Sequence, residues 1–130
     1  MPDKTKIRML IVDDEAAQMK ALCDTLRDHG YETIGFNSAK AALNALQTAK
    51  FDLLLSDIGM PEMDGYAFIN RVRALNSPMS RIPAIAVTAY ARAEDRQRSL
   101  LAGYQMHISK PLETPELIAA IASLLKVWRD

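Results

Sequence analysis

Five short runs rich in β-branched residues and leucine, each followed by a longer segment with helical periodicity, constrain this chain more than any other feature of its sequence. The runs fall at Ile7–Val12, Tyr31–Phe36, Phe51–Ser56, Ile82–Val87 and Met106–Ser109, and their near-continuous apolar character predicts strands buried on both faces. In the first helical segment Ala16, Met19, Leu22, Cys23 and Leu26 form a one-sided stripe that Gly30 ends. Ser38 is placed to cap a second helix with a stripe through Ala42, Leu43 and Leu46, and Asp64 to cap a third carrying Ala67, Phe68, Val72 and Leu75. A more charged fourth helix ends at Gly103. The fifth opens with Thr114 as cap and Pro115 at its first position, and buries Leu117, Ile121, Leu124 and Trp128. Strict β-α alternation requires right-handed crossovers, hence a doubly wound parallel sheet of the α/β class with helices on both faces. The expected strand order is 2-1-3-4-5, which places strands 1 and 3 side by side at the switch point where such sheets bind ligands.

With 130 residues and 14.5 kDa, 49% of them hydrophobic, the chain suits one domain, residues 1–130, with one core system. Sixteen basic residues balance sixteen acidic ones, so no overall charge favours nucleic acid or an anionic membrane. The N-terminus lacks a signal-peptide pattern, and no apolar segment approaches the roughly 20 residues of a membrane span. A soluble, cytoplasmic protein is expected. The lone Cys23 cannot form an internal disulfide and reads as a core residue.

Polar residues at the ends of the apolar runs carry the chemistry. "IRMLIVDDE" stops on Asp13 and Asp14, and "LLLSD" stops on Asp57. Adjacent strands would bring these acids together, and three neighbouring carboxylates repel unless a hard divalent cation neutralises them. Magnesium suits such an open oxygen site, with Mn²⁺ or another divalent cation as a substitute. Runs four and five end on Thr88 and Lys110, a hydroxyl and an ammonium suited to a phosphoryl group beside the metal. Asp57 can then be the nucleophile.

The segments "IVDDE", "LLLSDIGMPEMDGY", "AVTAYA" and "HISKP" resemble the signature segments of two-component response-regulator receiver domains, over roughly Lys6 to Trp128. The resemblance implies a flavodoxin-like (βα)5 fold, with Asp57 as phospho-acceptor for a histidine kinase or histidine phosphotransfer protein. It also implies magnesium held by Asp14 directly, by Asp13 largely through water, by Asp57 and by the backbone carbonyl of Gly59. Thr88 and Lys110 would hold the phosphoryl group, with the Lys110–Pro111 bond cis. The family's switch couples the Thr88 hydroxyl to a side chain on strand 5 that is often Tyr or Phe. Here it is His107, a departure that resembles receivers of hybrid sensor kinases and leaves two readings open, a rotating plug or a weak coupling. Gly59 and Tyr90 occupy the positions that tune hydrolysis, and neither favours an aligned water, so slow self-dephosphorylation is expected.

Such a domain is a phospho-acceptor that catalyses only its own phosphorylation and dephosphorylation. It would meet a helical histidine domain near Ala17, Lys20 and Ala21. A downstream protein or a second copy would dock on the helix 4, strand 5, helix 5 face, where Ile118, Ala122 and Leu125 make a small apolar patch. Alternatives are a receiver excised from a hybrid histidine kinase and a docking pseudo-receiver that takes no phosphate. A dehalogenase-like phosphatase would need an acid at position 59, and a flavodoxin-like cofactor binder a phosphate loop where "VDDEAA" stands.

Overall fold

The computed structural model describes residues 6–89 and 92–129, with side chains through 126. Five parallel strands, β1 (Arg8–Val12), β2 (Glu32–Phe36), β3 (Leu53–Asp57), β4 (Ala84–Thr88) and β5 (Met106–Ser109), pair in the order 2-1-3-4-5. They alternate with α1 (Ala16–Asp28), α2 (Ala39–Thr48), α3 (Gly65–Arg73), α4 (Ala93–Ala102) and α5 (Thr114–Arg129). The doubly wound sheet expected from the alternation is present.

The side-chain period of two divides the apolar runs between two cores. Met9, Ile11, Leu53, Leu55, Ile85 and Val87 face α1 and α5, where they meet Cys23, Leu26, Leu117 and Ile121. Leu10, Val12, Leu54, Ala84 and Ala86 face the opposite side and pack with Leu46, Phe68, Ile69 and Val72. Each large side chain buried in these layers stabilises the fold by about 1.5–3 kcal/mol relative to exposure. Both faces are covered, which is why the strands read as apolar runs rather than as alternating ones.

The helix ends follow local chemistry. Ser38 Oγ accepts from the Ala41 amide at 3.1 Å, and Asp64 Oδ1 from the Ala67 amide at 2.9 Å. Gly30 and Gly103 stop α1 and α4 at φ of 92° and 132°, conformations that a Cβ disfavours. Several expectations shift. Ala16 is exposed rather than part of the α1 stripe, whose buried members are Cys23 and Leu26. Thr114 is the first residue of α5 rather than its cap. β4 starts at Ala84 and not Ile82, since Pro78–Arg81 form a 3-10 turn and Pro83 has no amide hydrogen for the ladder. Leu125 is buried at 7% exposure: the apolar stripe of α5 is wide and Leu125 belongs to the core, so the expected surface patch loses one of its two large members. The side chain of Trp128 lies outside the described residues.

Candidate functional site

The register of β1 on β3, with Val12 opposite Ser56, brings the acids at the two strand ends together. Carboxylate oxygens of Asp13, Asp14 and Asp57 lie within 4.8 Å of one another. Asp57 is the last residue of β3, and it is buried, as is Asp13, whereas Asp14 is exposed. Asp13 Oδ1 accepts from the Glu15 amide at 2.9 Å, which leaves its other oxygen for the cluster.

From the other side comes Lys110, just past β5. Its amide donates to the Thr88 carbonyl at 2.7 Å, the Lys110–Pro111 peptide is cis, and its ammonium sits 3.5 Å from Asp57 Oδ2. Burial raises the Asp57 carboxyl above its ordinary range. The Lys110 charge opposes that rise, while Asp13 and, less strongly, Asp14 add to it. Desolvation wins, so the ionised acid is under-compensated by protein groups alone. This charge balance is the physical test of a cation. An all-oxygen donor set of two partly desolvated carboxylates and one exposed one, open on one side, fits a hard divalent ion that keeps several waters. Asp13, Asp14 and Asp57 are the residues that could hold it.

Thr88 ends β4 and is buried at 1% exposure. Ala86 pairs with His107 and Thr88 with Ser109, so the pleat puts Thr88 and His107 on one face of the sheet, the side of α3 and α4, one step apart along the strands. Gly59 is exposed in the loop after β3, where a Cβ would meet nothing within 4 Å. Tyr90 lies outside the described residues. Ala17, Lys20 and Ala21 are exposed on α1.

Three further residues at this edge do not stand out in the sequence. Lys110 Nζ donates to Gln18 Oε1 at 3.1 Å, a contact across 92 residues of chain that no local spacing marks. Ser56 Oγ donates to the Asp57 carbonyl at 2.9 Å. Tyr104 Oη donates to the Gly65 carbonyl at 2.7 Å from a buried position, and burial pushes its phenol well above the ordinary value. No local pattern marks Ser56, though its acceptor is the carbonyl of the next residue, and the partner of Tyr104 depends on tertiary packing.

Gly65 shows how tightly the end of β3 is held. Its amide donates to the Ile58 carbonyl at 2.8 Å, and a Cβ there would lie 2.6 Å from the Asp57 carbonyl oxygen and 2.7 Å from Ile58 Cα. Both obstacles are backbone, so α3 would have to move. Gly65→Ala is therefore expected to lower stability by about 1–3 kcal/mol, read as a lower urea midpoint at unchanged slope; an unchanged midpoint would mean that α3 shifts freely.

The family model for the response regulator receiver domain matches residues 9–122, and this chain belongs to that family. It is a receiver domain of two-component phosphorelay signalling. It is 36% identical over 117 residues to the polar-differentiation response regulator DivK of Brucella ovis, covering 90% of this chain and 94% of that protein. It is 39% identical over 110 residues to the sensor histidine kinase RcsC of Escherichia coli K12, covering 85% of this chain but 11% of the kinase, so the chain spans about a ninth of that relative's length. A CheY-like receiver domain from Methanospirillum hungatei superposes with a TM-score of 0.85 at 31% identity, covering 94% of this chain and 95% of that one. No described helix is long and apolar enough to cross a membrane.

Proposed function

We propose that the chain, as a single receiver unit over residues 1–130, accepts a phosphoryl group on Asp57 from a phosphohistidine donor in a divalent-cation-dependent reaction. The donor is a histidine kinase or histidine phosphotransfer protein. The observation that carries this reading is the convergence of Asp13, Asp14 and Asp57 within 4.8 Å, with the Lys110 ammonium 3.5 Å from Asp57. The bound Mg²⁺ would offset the charge of the carboxylates and of the incoming phosphoryl oxygens. An Asp57 carboxylate oxygen attacks phosphorus; the new O–P bond forms as the N–P bond to the donor imidazole breaks, with its electron pair returning to the nitrogen. Lys110 and the Thr88 hydroxyl stabilise the transferred oxygens. Asp14 directly, Asp13 largely through water, and the Gly59 carbonyl would hold the cation beside Asp57.

Thr88 and His107, on one face of the sheet, would pass the phosphorylated state toward a downstream protein or a second copy on the α4-β5-α5 face. This work of phosphorylation and dephosphorylation on its own side chain, in the cytoplasm, is not turnover of a separate substrate. The same chemistry serves a freestanding response regulator and a receiver within a hybrid kinase, the two settings of the relatives described.

The test is the intact mass of the protein after incubation with Mg²⁺ and acetyl phosphate. One added phosphoryl group is expected, absent when a chelator replaces the metal. Folded protein that gains no mass would instead be a docking module. The decay of that mass is expected to be slow, since Gly59 offers no side-chain hydrogen bond to an attacking water and Tyr90 offers bulk; a half-life of seconds would overturn this reading of the two positions.

A further inference from the structure

Lys110 has a second partner besides Asp57. Its Nζ is 3.5 Å from Asp57 Oδ2, beyond ordinary charge-assisted hydrogen-bond length, but 3.1 Å from Gln18 Oε1. Gln18 lies in the first turns of α1 and Lys110 just past β5, so this bond runs from one side of the site to the other. Both residues line the same cavity of about 560 Å³, which passes beneath Asp57 between α1 and α5 toward Leu22 and Leu117. An ammonium has three donors and no fixed direction. Where it rests is therefore set by the acceptors around it.

We infer that Gln18 is a positioning residue for Lys110: its amide oxygen draws the ammonium toward α1 and keeps it from closing onto the Asp57 carboxylate. The inference rests on the receiver reading and concerns how that site is kept ready. Asp57 must offer oxygen lone pairs to a cation and to phosphorus, and a lysine in direct contact would occupy one of them. Held at 3.5 Å, Lys110 supplies positive charge without taking the lone pair. Glutamine does this without charge, whereas a carboxylate at position 18 would add a fourth acid to the cluster and bind the lysine outright.

Gln18→Met removes the acceptor and keeps the length and volume of the side chain. It is expected to weaken Mg²⁺ binding to the unphosphorylated protein about threefold, by titration calorimetry, and to slow phosphorylation by acetyl phosphate about fivefold, magnitudes within the net contribution of one ordinary hydrogen bond. The urea midpoint should not move, because Gln18 is exposed. A second arm separates positioning from any direct role. In a Lys110→Met background, Gln18→Met should change neither quantity further, since the residue acts through the lysine. Undiminished Mg²⁺ affinity and rate in the single variant would overturn the inference, and so would an equal loss in both backgrounds. A wild-type protein that takes no phosphoryl group would overturn the receiver reading, and the inference with it; wild-type uptake with an unaffected Gln18→Met would overturn the inference alone.

Discussion

Asp57→Asn is expected to abolish phosphoryl uptake altogether and, at the same time, to make the metal-free protein more stable at neutral pH. The first effect follows from chemistry, because a carboxamide has no anionic oxygen to attack phosphorus. The second follows from the charge balance. Burial raises the Asp57 carboxyl above its ordinary value despite Lys110, so folding disfavours its ionised form. For a carboxyl raised in the folded state, the destabilisation is fully present above the folded value. It fades as pH falls through that value, and is gone below the ordinary carboxyl range, where both states are protonated. Asparagine never carries that cost. The gap between Asp57→Asn and wild type, measured by urea unfolding with chelator, should be widest near neutrality and should shrink toward zero on acidification. Millimolar Mg²⁺ should narrow it from the other direction, by stabilising the wild type through binding. A variant less stable than wild type at neutral pH would mean that Lys110 already compensates Asp57.

These opposed effects of one substitution show why the site is legible in the sequence. Acids that end two apolar runs are a conflict between burial and charge, plain in the order of the residues alone, and such conflicts gather at functional positions. The sheet is legible for the opposite reason: apolar runs, Ser38, Asp64, Gly30 and Gly103 all state locally what the fold uses globally. Where a run ends is set by less local things. Asp57 closes β3 and Thr88 closes β4, one residue later than the apolar runs imply, because backbone pairing with neighbours rather than side-chain polarity decides the last bridge. Leu125 reads as surface only if α5 carries a narrow stripe, and the stripe is wide. Gln18 and Tyr104 give no sequence signal of their partners because each acts on a residue distant along the chain, Lys110 and Gly65, and no spacing rule connects them.

Arg73 is the clearest case of that kind, and Arg73→Ala carries the largest expected loss of stability, about 3 kcal/mol. In the sequence it is one more arginine at the end of a helix. In the fold its guanidinium is spread over four acceptors: Nε and Nη2 donate to the Gly103 carbonyl at 3.0 and 2.7 Å, Nη1 to the Ser80 and Ile82 carbonyls at 3.0 and 2.6 Å, and Nη2 to Gln105 Oε1 at 3.2 Å. Gln105 Oε1 in turn accepts from the Ala84 amide at 2.7 Å. One side chain thus ties the end of α3 to the turn before β4 and to the loop before β5. The aliphatic stem adds packing, since a Cβ on Gly103 would come within 3.1 Å of Arg73 Cγ. Burial pulls the guanidinium below its usual value, but arginine stays charged through the accessible pH range, so the loss should not depend on pH. Lysine should not rescue it, because a single ammonium cannot reach acceptors fanned around a planar fork. The consequence reaches the site through the strands. β4 and β5 begin at this network and end at Thr88 and Lys110, so loosening their starts lets their far ends open more often. Hydrogen exchange of the Thr88 and Lys110 amides should therefore accelerate in Arg73→Ala together with that of Ala84. Faster exchange confined to the Ala84 end would show instead that the strands do not carry the disturbance across the sheet.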